Sequence, residues 1–496
     1  MVRYELYSTG SNSHGQLGLD SDEDFSEFTR ISLPSNTHPL KLAFGANHTL
    51  LLATVNGRRR LLGAGSNAAG QLGTGRKGSR FRFEELEWEE FVPREANISK
   101  EDYEVASVAS TWETSIVHLR PREGKEREAS FARTEFLVSF GSNDWGERGS
   151  GSADNGGGGS PQGPAVISLA HLVTGPIKVS QLVAGPRHVL ATLRSLENDD
   201  ADHLLVGWGA ARHGQLGTLD RSSKLPKIVA RPELVHLPLP FRAQEVLDID
   251  CGKDHTVISL LQSHERAVVL LGSNKHGQLG LSRSNLQKST EQPATNYHIL
   301  QSSTLIGSSR PQTARTTWNS TFIAIPSSSS TSTSSSSEPS LISFGSNSHG
   351  QLGSQTPFLP SNYVSEDTSL SGGMRVVKLP TSSSDSPRLP EEAETEPPTF
   401  RSQLRLSTGS EHVLLVVEST PLLPLPSTSY PKNQELFAWG WNEHGNLGLG
   451  ARDLADRREP VRVGGATKEK LDQGGRIENV WGGMATSWVL IRFEND

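Results

Sequence analysis

Apolar residues along this chain come in short runs separated by glycine-bearing turns, with no sustained helical period. One kind of run is a brief strand-like stretch such as Glu5–Thr9, Phe136–Phe140 (FLVSF) or Leu436–Trp439 (LFAW). The other is longer and carries an internal glycine, as in Leu42–Leu52 (LAFGANHTLLL). Its clearest relatives are Val183–Leu190, Ile249–Ile258 and Leu406–Leu415; weaker copies are Val108–Val117, Ala314–Ile323 and Val480–Leu490. Alternation, β-branched residues and glycine punctuation predict strands for both kinds.

Each stretch of the first kind runs into a nine-residue head. Gly10–Gly18 reads GSNSHGQLG, and the pattern returns at Gly65–Gly73, Gly141–Gly149, Gly209–Gly217, Gly272–Gly280, Gly345–Gly353 and Gly440–Gly448. Glycine holds the first, sixth and ninth positions of all seven heads, which accounts for 21 of the 48 glycines in 496 residues. The third head, GSNDWGERG, is degraded. Each unit pairs a head with a glycine-bearing run and supplies about four strands. Seven such units predict an all-β fold: one seven-bladed β-propeller of four-stranded blades over residues 1–496. The glycine-bearing strands are expected innermost. The sequence repeat and the blade are then out of phase, and the strand near Glu5–Thr9 completes a blade whose inner strands come from Val480–Ile491. That closure pairs the N- and C-terminal strands and protects the last edge.

Composition narrows the classes. A single cysteine, Cys251, excludes intramolecular disulfides and cysteine-rich metal cages. No run of 18 apolar residues occurs, so no membrane span is expected, and the first residues lack the apolar core of a secretion signal. The net charge of −7 disfavours nucleic acid as the main ligand, and Gly57–Arg60 is only a short basic hairpin tip. No sequence pattern of a zinc site, serine hydrolase or phosphate loop is present, so the chain reads as non-enzymatic, without cofactor or metal. A monomer in the cytoplasm, with possible nuclear entry, is the expectation.

The paired signatures G-x-N-x-x-G-Q-L-G and G-x-x-H-T resemble the repeats of the regulator of chromosome condensation family, over essentially the whole chain. The resemblance implies a seven-bladed propeller. For function it implies a range, from exchange factors for small GTPases to chromatin binders, ubiquitin-ligase scaffolds and docking modules. The late head FAWGWNEHGNLGLG and the final VWGGMATSWVLI are most similar to the fungal alpha-tubulin suppressor branch. That likeness implies a small zinc-binding electron carrier as partner, in diphthamide synthesis and Elongator-linked tRNA modification.

Three segments read as flexible insertions: the Gly/Ser-rich 150–164, the 327–337 tract of nine serines and two threonines, and the acidic, proline-rich 382–398. Phe81–Phe91 (FRFEELEWEEF) mixes aromatics with five glutamates. It is either a recognition segment for a basic partner or an irregular outer strand with a solvated acidic face.

What recurs in every unit serves folding, and what differs is free for function. His14, His213, His276, His349 and His444 share one column, and His48, His188, His255 and His412 another; both are expected to make hydrogen bonds at blade junctions. Trp208 and Trp439 read as core. The position before the second histidine column is read as Asn47, Trp112, Arg187, Asp254, Trp318, Glu411 and Met484, expected to ring one mouth of the central channel. Two tryptophans, an arginine and two acids make a candidate partner-binding patch, unless Trp112 and Trp318 are packing anchors between blades. Trp145, in the degraded head, is a second candidate anchor. In the family's exchange factors, acids at this position face the GTPase. Asp254 and Glu411 match that pattern, and Trp112, Arg187 and Trp318 depart from it. The leading expectation is therefore a propeller that docks a small protein on one face, with guanine-nucleotide exchange on a small GTPase as the alternative.

Overall fold

The computed structural model describes residues 2–73, 78–92, 98–123, 134–153, 163–197, 203–217, 225–262, 265–281, 297–301, 313–325, 340–354, 374–379, 400–421, 433–451 and 453–494. The insertions expected at 327–337 and 382–398, and the middle of 150–164, lie outside them.

The described residues form seven four-stranded antiparallel sheets. Blade 7 takes its two outer strands, β1 (Arg3–Gly10) and β2 (Phe25–Arg30), from the start of the chain. Blade 1 comprises β3 (Thr37–Phe44), β4 (His48–Val55), β5 (Arg58–Gly65) and β6 (Arg80–Glu85), from the axis outward. Blade 2 follows with β7 (Tyr103–Ser110), β8 (Thr114–Pro121), β9 (Phe136–Gly141) and the short β10 (Ala165–Val166). Blade 3 holds β11 (Ile177–Ala184), β12 (His188–Ser195), β13 (His203–Ala210) and β14 (Ile228–Leu234). Blade 4 is β15 (Val246–Cys251), β16 (His255–Gln262), β17 (Glu265–Gly272) and β18 (Tyr297–Gln301). Blade 5 is β19 (Thr313–Thr316), β20 (Ser320–Ile325), β21 (Ser340–Gly345) and β22 (Arg375–Val377). Blade 6 is β23 (Phe400–Thr408), β24 (His412–Pro421), β25 (Asn433–Gly440) and β26 (Arg457–Arg462).

The chain then returns as β27 (Arg476–Gly482) and β28 (Thr486–Phe493), the inner half of blade 7. β28 pairs with β1 from Arg3↔Phe493 to Gly10↔Thr486. The ring thus closes as the sequence predicts.

The heads are turns fixed by their own side chains. In head 1 the Asn12 Oδ1 accepts the Leu17 amide at 2.9 Å and the Gln16 Oε1 accepts the His14 amide at 2.9 Å. All 21 head glycines have positive φ. The first of them meets a second constraint. A Cβ on Gly65 would lie 2.3 Å from the Asn47 carbonyl oxygen, and one on Gly272 would lie 2.5 Å from that of Asp254. Only glycine allows the head to sit this close to the neighbouring loop while keeping φ near +100°.

The second histidine column ties blades together. The imidazoles of His48, His188 and His412 lie 2.9 Å from the hydroxyls of Ser115, Thr256 and Ser487 in the next blade, and His255 lies 3.2 Å from Thr321. Ser115, Thr256 and Thr321 donate their own protons to the carbonyls of Gln71, Gln215 and Gln278 at 2.7–2.8 Å. Their lone pairs therefore accept, and the histidine Nε2–H donates. The motif glycine makes room for this ring: a Cβ on Gly45 or Gly252 would lie 2.0–2.2 Å from the imidazole of His48 or His255. Where the histidine is replaced in blades 2 and 5, by Thr114 and Ser320, the glycine has become Thr111 and Thr317. The Thr114 and Ser320 hydroxyls instead donate to the backbone carbonyls of Ser142 and Ser346, the second residue of their own blade's head. The head histidines also reach the next blade: His349 bonds Asp456 at 2.9 Å and His444 bonds Asp24 at 2.7 Å.

Between blades the core is apolar. Trp208, Trp439 and Trp488 are fully enclosed, and the indoles of Trp208 and Trp439 donate to the carbonyls of Glu147 and Gln351 across a blade junction at 2.8 Å.

The degraded third head keeps its turn with altered chemistry. Glu147 takes the glutamine position and accepts the Trp145 amide at 2.6 Å. Arg148 takes the leucine position, 1% exposed. Burial, the largest cause, raises the Glu147 carboxyl to about 7, with Asp144 adding to the rise and Arg187 and two backbone amides opposing it.

Two stability predictions follow from these buried groups. Burial holds His48, His188 and His255 down to about 3, and His412 to about 4. They stay neutral in the fold while the unfolded chain takes up protons near pH 6.5, so their contribution is complete above pH 6.5 and lost as pH falls towards 3. Thermal melts followed by circular dichroism should show Tm dropping steadily below pH 6.5. His255→Ala should cost about 1–3 kcal/mol at pH 7.5, the cost of stranding a buried hydroxyl partner. Glu147 has the opposite sign: its raised carboxyl weakens the fold as pH rises from the ordinary glutamate range through 7. Glu147→Gln should raise Tm at pH 8 and change it little at pH 5; an equal gain at both would remove the titration from the explanation.

Candidate functional site

In every blade the loop between the first and second strands and the head between the third and fourth emerge on the same face, because successive strands alternate in direction. The first-to-second loops encircle the mouth of the channel and are joined by backbone hydrogen bonds. Ala46 donates to the Trp112 carbonyl, Trp112 to Pro186, Lys253 to Trp318, Trp318 to Ser410, and Ser410 to Gly483, at 2.8–3.0 Å. Pro186 has no amide proton and cannot donate onward.

This girdle fixes the register of the loops and corrects one reading of the sequence. The strand positions paired with the first head glycine are His48, Thr114, His188, His255, Ser320, His412 and Thr486. The position before them is therefore Asn47, Glu113, Arg187, Asp254, Asn319, Glu411 and Ala485. Trp112, Trp318 and Met484 stand one residue earlier, with Ala46, Pro186, Lys253 and Ser410. Loss of the histidine in blades 2, 5 and 7 removed the anchor by which the sequence could be aligned.

The shift places the tryptophans nearer the axis. Trp112 and Trp318 come from blades that are not neighbours, yet their ring centroids are 5.7 Å apart at an interplanar angle of 40°. They meet across the mouth. Trp112 is 41% exposed and Trp318 half-buried, so they are not enclosed anchors between adjacent blades. The Lys253 ammonium lies 5.7 Å from the Trp318 ring. Met484 lines the channel just inside.

The remaining candidates divide. Arg187 is half-buried, with its guanidinium 4.7 Å above the Trp145 ring, and the Arg212 guanidinium stands 6.0 Å from the same ring. Asp254 faces His213 at 3.9 Å. Asn47 is half-buried, and its carbonyl receives the Ser66 amide at 2.7 Å. Glu411 is buried, accepting from Gln351 at 2.6 Å and Asn319 at 3.2 Å. Burial raises its carboxyl above the usual glutamate range. It joins blades 5 and 6 instead of presenting a free charge. Arg212, Lys253 and Lys275 were not singled out by the sequence. Their signal was their place in the unrepeated positions of blades 3 and 4, beside residues that were.

Below the mouth the channel has a cavity volume of about 370 Å³ and a polar wall on one side. There Arg315 pairs with Asp248, and Asp250 accepts from the amide and hydroxyl of Thr316. Lys41 donates to Ser107 at 2.8 Å, and burial lowers its ammonium to about 8. Cys251 is buried, and among the described residues no three His, Cys, Asp or Glu side chains gather as a metal site.

The Phe81–Phe91 segment divides as well. β6 carries Phe83 inward at 8% exposure, and Leu86 and Trp88 are buried after it, while Phe81 is 40% exposed. Glu84 and Glu85 pair with Arg80 and Arg60. The segment up to Trp88 is thus an outer strand and turn with a solvated acidic face.

The Regulator of chromosome condensation (RCC1) repeat matches residues 5–52, 202–259 and 433–477. The Ultraviolet-B receptor UVR8 of Arabidopsis thaliana is 26% identical over 56% of this chain, and the match spans 51% of that receptor's own length. The serine/threonine-protein kinase Nek8 of Danio rerio is 29% identical over 35% of the chain and 21% of the kinase. The Secretion-regulating guanine nucleotide exchange factor of Bos taurus is 26% identical over 92% of the chain and 78% of its own. Among solved structures, yeast RCC1 (Prp20), bound to Kap60, superposes with a TM-score of 0.62 at 18% identity, covering 100% of this chain and 90% of that one. Human WBSCR16 gives 0.61 at 17%, covering 98% and 99%. The chain thus carries regulator of chromosome condensation repeats in three stretches, and its seven heads and seven blades build the seven-bladed propeller seen in these solved structures.

Proposed function

We propose that this chain is a non-enzymatic docking propeller that seats a small folded protein over the channel mouth. The observation that carries the reading is the Trp112–Trp318 pair. At the same position the other blades do well with Ala46, Pro186, Lys253, Ser410 and Met484, so folding does not require a tryptophan there. Two large aromatics held against each other at an open surface have little rotamer freedom left to lose, which suits them as anchors for a partner. The mixed chemistry around them, Arg187, Lys253 and Asp254 included, supplies orientation. The likeness to the alpha-tubulin suppressor branch directs the first search to a small zinc-binding electron carrier, in diphthamide synthesis or Elongator-linked tRNA modification, in the cytoplasm or nucleus.

Guanine-nucleotide exchange is the second reading, favoured by the bovine exchange factor that matches 92% of the chain. Yeast Prp20p, which has the same fold, has been studied for its binding to Gsp1p and histones. Against exchange stands the acid set: Glu411 is engaged within the fold, leaving Asp254 and Glu113 to face a GTPase.

Titration calorimetry with the purified zinc-binding carrier and a panel of small GTPases separates the readings. Trp112→Ala and Trp318→Ala should each weaken the carrier complex at least tenfold while leaving Tm within about 2 °C, as expected for partly exposed side chains. Unchanged affinity in both variants would sink the mouth as the docking site. Release of a fluorescent nucleotide from the GTPases should not accelerate at micromolar protein; acceleration that Asp254→Ala abolishes would establish the second reading instead.

A further inference from the structure

The docking face is not uniform in charge. On the side of blades 6 and 7 it carries Asp24, Glu443, Asp453 and Asp456, with Asp24 and Asp456 partly engaged by His444 and His349 and Asp453 by Arg457. On the side of blades 3 and 4 it carries Arg187, Arg212, Lys253 and Lys275. These four cations stand out in a chain of net charge −7. None of them forms an ion pair with a described carboxylate, although Arg187 and Lys253 act at longer range on the buried Glu147 and Glu411 carboxyls; Asp254 faces His213.

Three of the four are held by aromatic faces. Arg187 lies over the Trp145 ring at 4.7 Å and Arg212 stands 6.0 Å from the same ring, while Lys253 lies 5.7 Å from Trp318, which packs on Trp112. The carbonyl of Pro186, next to Arg187, receives the Trp112 amide, so the two cation–aromatic groups are continuous. A guanidinium lying over an indole keeps its edge N–H groups free while losing much of its motion, which readies it for a carboxylate fork.

We infer that this Trp145–Arg187–Lys253 sector receives an acidic segment of a protein partner, with carboxylates on the cations and apolar side chains on the exposed Trp112 and the half-buried Trp145 and Trp318. The inference rests on the docking reading above and adds the chemistry of the partner. Charge selects protein over nucleic acid. A polyphosphate strand long enough to cross the face would run onto the acidic side at Asp24, Asp453 and Asp456, whereas a short acidic segment need not.

The test uses the full chain and a fluorescein-labelled deca-glutamate peptide, read by fluorescence anisotropy, with a 20-nucleotide single-stranded DNA as the second probe. Saturable peptide binding is expected, weakening as NaCl is raised from 50 to 300 mM. Arg187→Gln with Arg212→Gln, and Lys253→Gln with Lys275→Gln, should each reduce affinity about tenfold, with melting curves unchanged. The control pair Arg58→Gln with Arg60→Gln, at a hairpin on the opposite face, should change it less than twofold. Absence of saturable peptide binding, equal loss in the control pair, or DNA bound as tightly as peptide would each overturn the inference. None of these outcomes touches the Trp112→Ala and Trp318→Ala result, so the docking reading stands or falls separately.

Discussion

An imidazole that donates to a hydroxyl, whose proton goes in turn to a carbonyl, joins successive blades in much of the ring. In His188–Thr256–Gln215 the three groups belong to two blades, and none is satisfied without the others. The arrangement dictates much of the local sequence: the glycine three residues before the histidine and the hydroxyl residue one place after its column in the next blade. It also dictates neutrality, because a charged imidazole could not be accommodated there without water.

The heads explain why the fold could be read directly from the chain. Constraints that act identically seven times leave identical residues, and head glycines such as Gly65 and Gly272, where a Cβ meets a carbonyl at 2.3 and 2.5 Å, admit no alternative. The ring closure was legible too, since Glu5–Thr9 is a third strand lacking its two inner companions and Val480–Ile491 supplies them.

The residues around the channel mouth were legible only in part. Its residues lie where the repeat is weakest, and the one-residue misplacement of Trp112, Trp318 and Met484 came from blades where the histidine gave way to threonine or serine. Spatial neighbours from distant blades left no mark in the sequence: nothing in the spacing of Trp112 and Trp318 announces that their rings meet over the axis. Glu411 shows the reverse case. It varies between blades, as a functional residue would, and is spent on holding Gln351 and Asn319. Variation among repeats marks freedom from the common constraint, and some of that freedom is used for local repair.

The way blade 7 is assembled has a consequence for how the protein is made. Its outer strands, β1 and β2, leave the ribosome first and its inner strands last. Through most of synthesis the edge of Arg3–Gly10 that will pair with Thr486–Phe493 has no partner, although blades 1 to 6 can form in sequence behind it. Such an edge invites pairing with other chains. Pairing of β1 with β28 removes that edge, so the outer half of blade 7 is protected only once its inner half has been made.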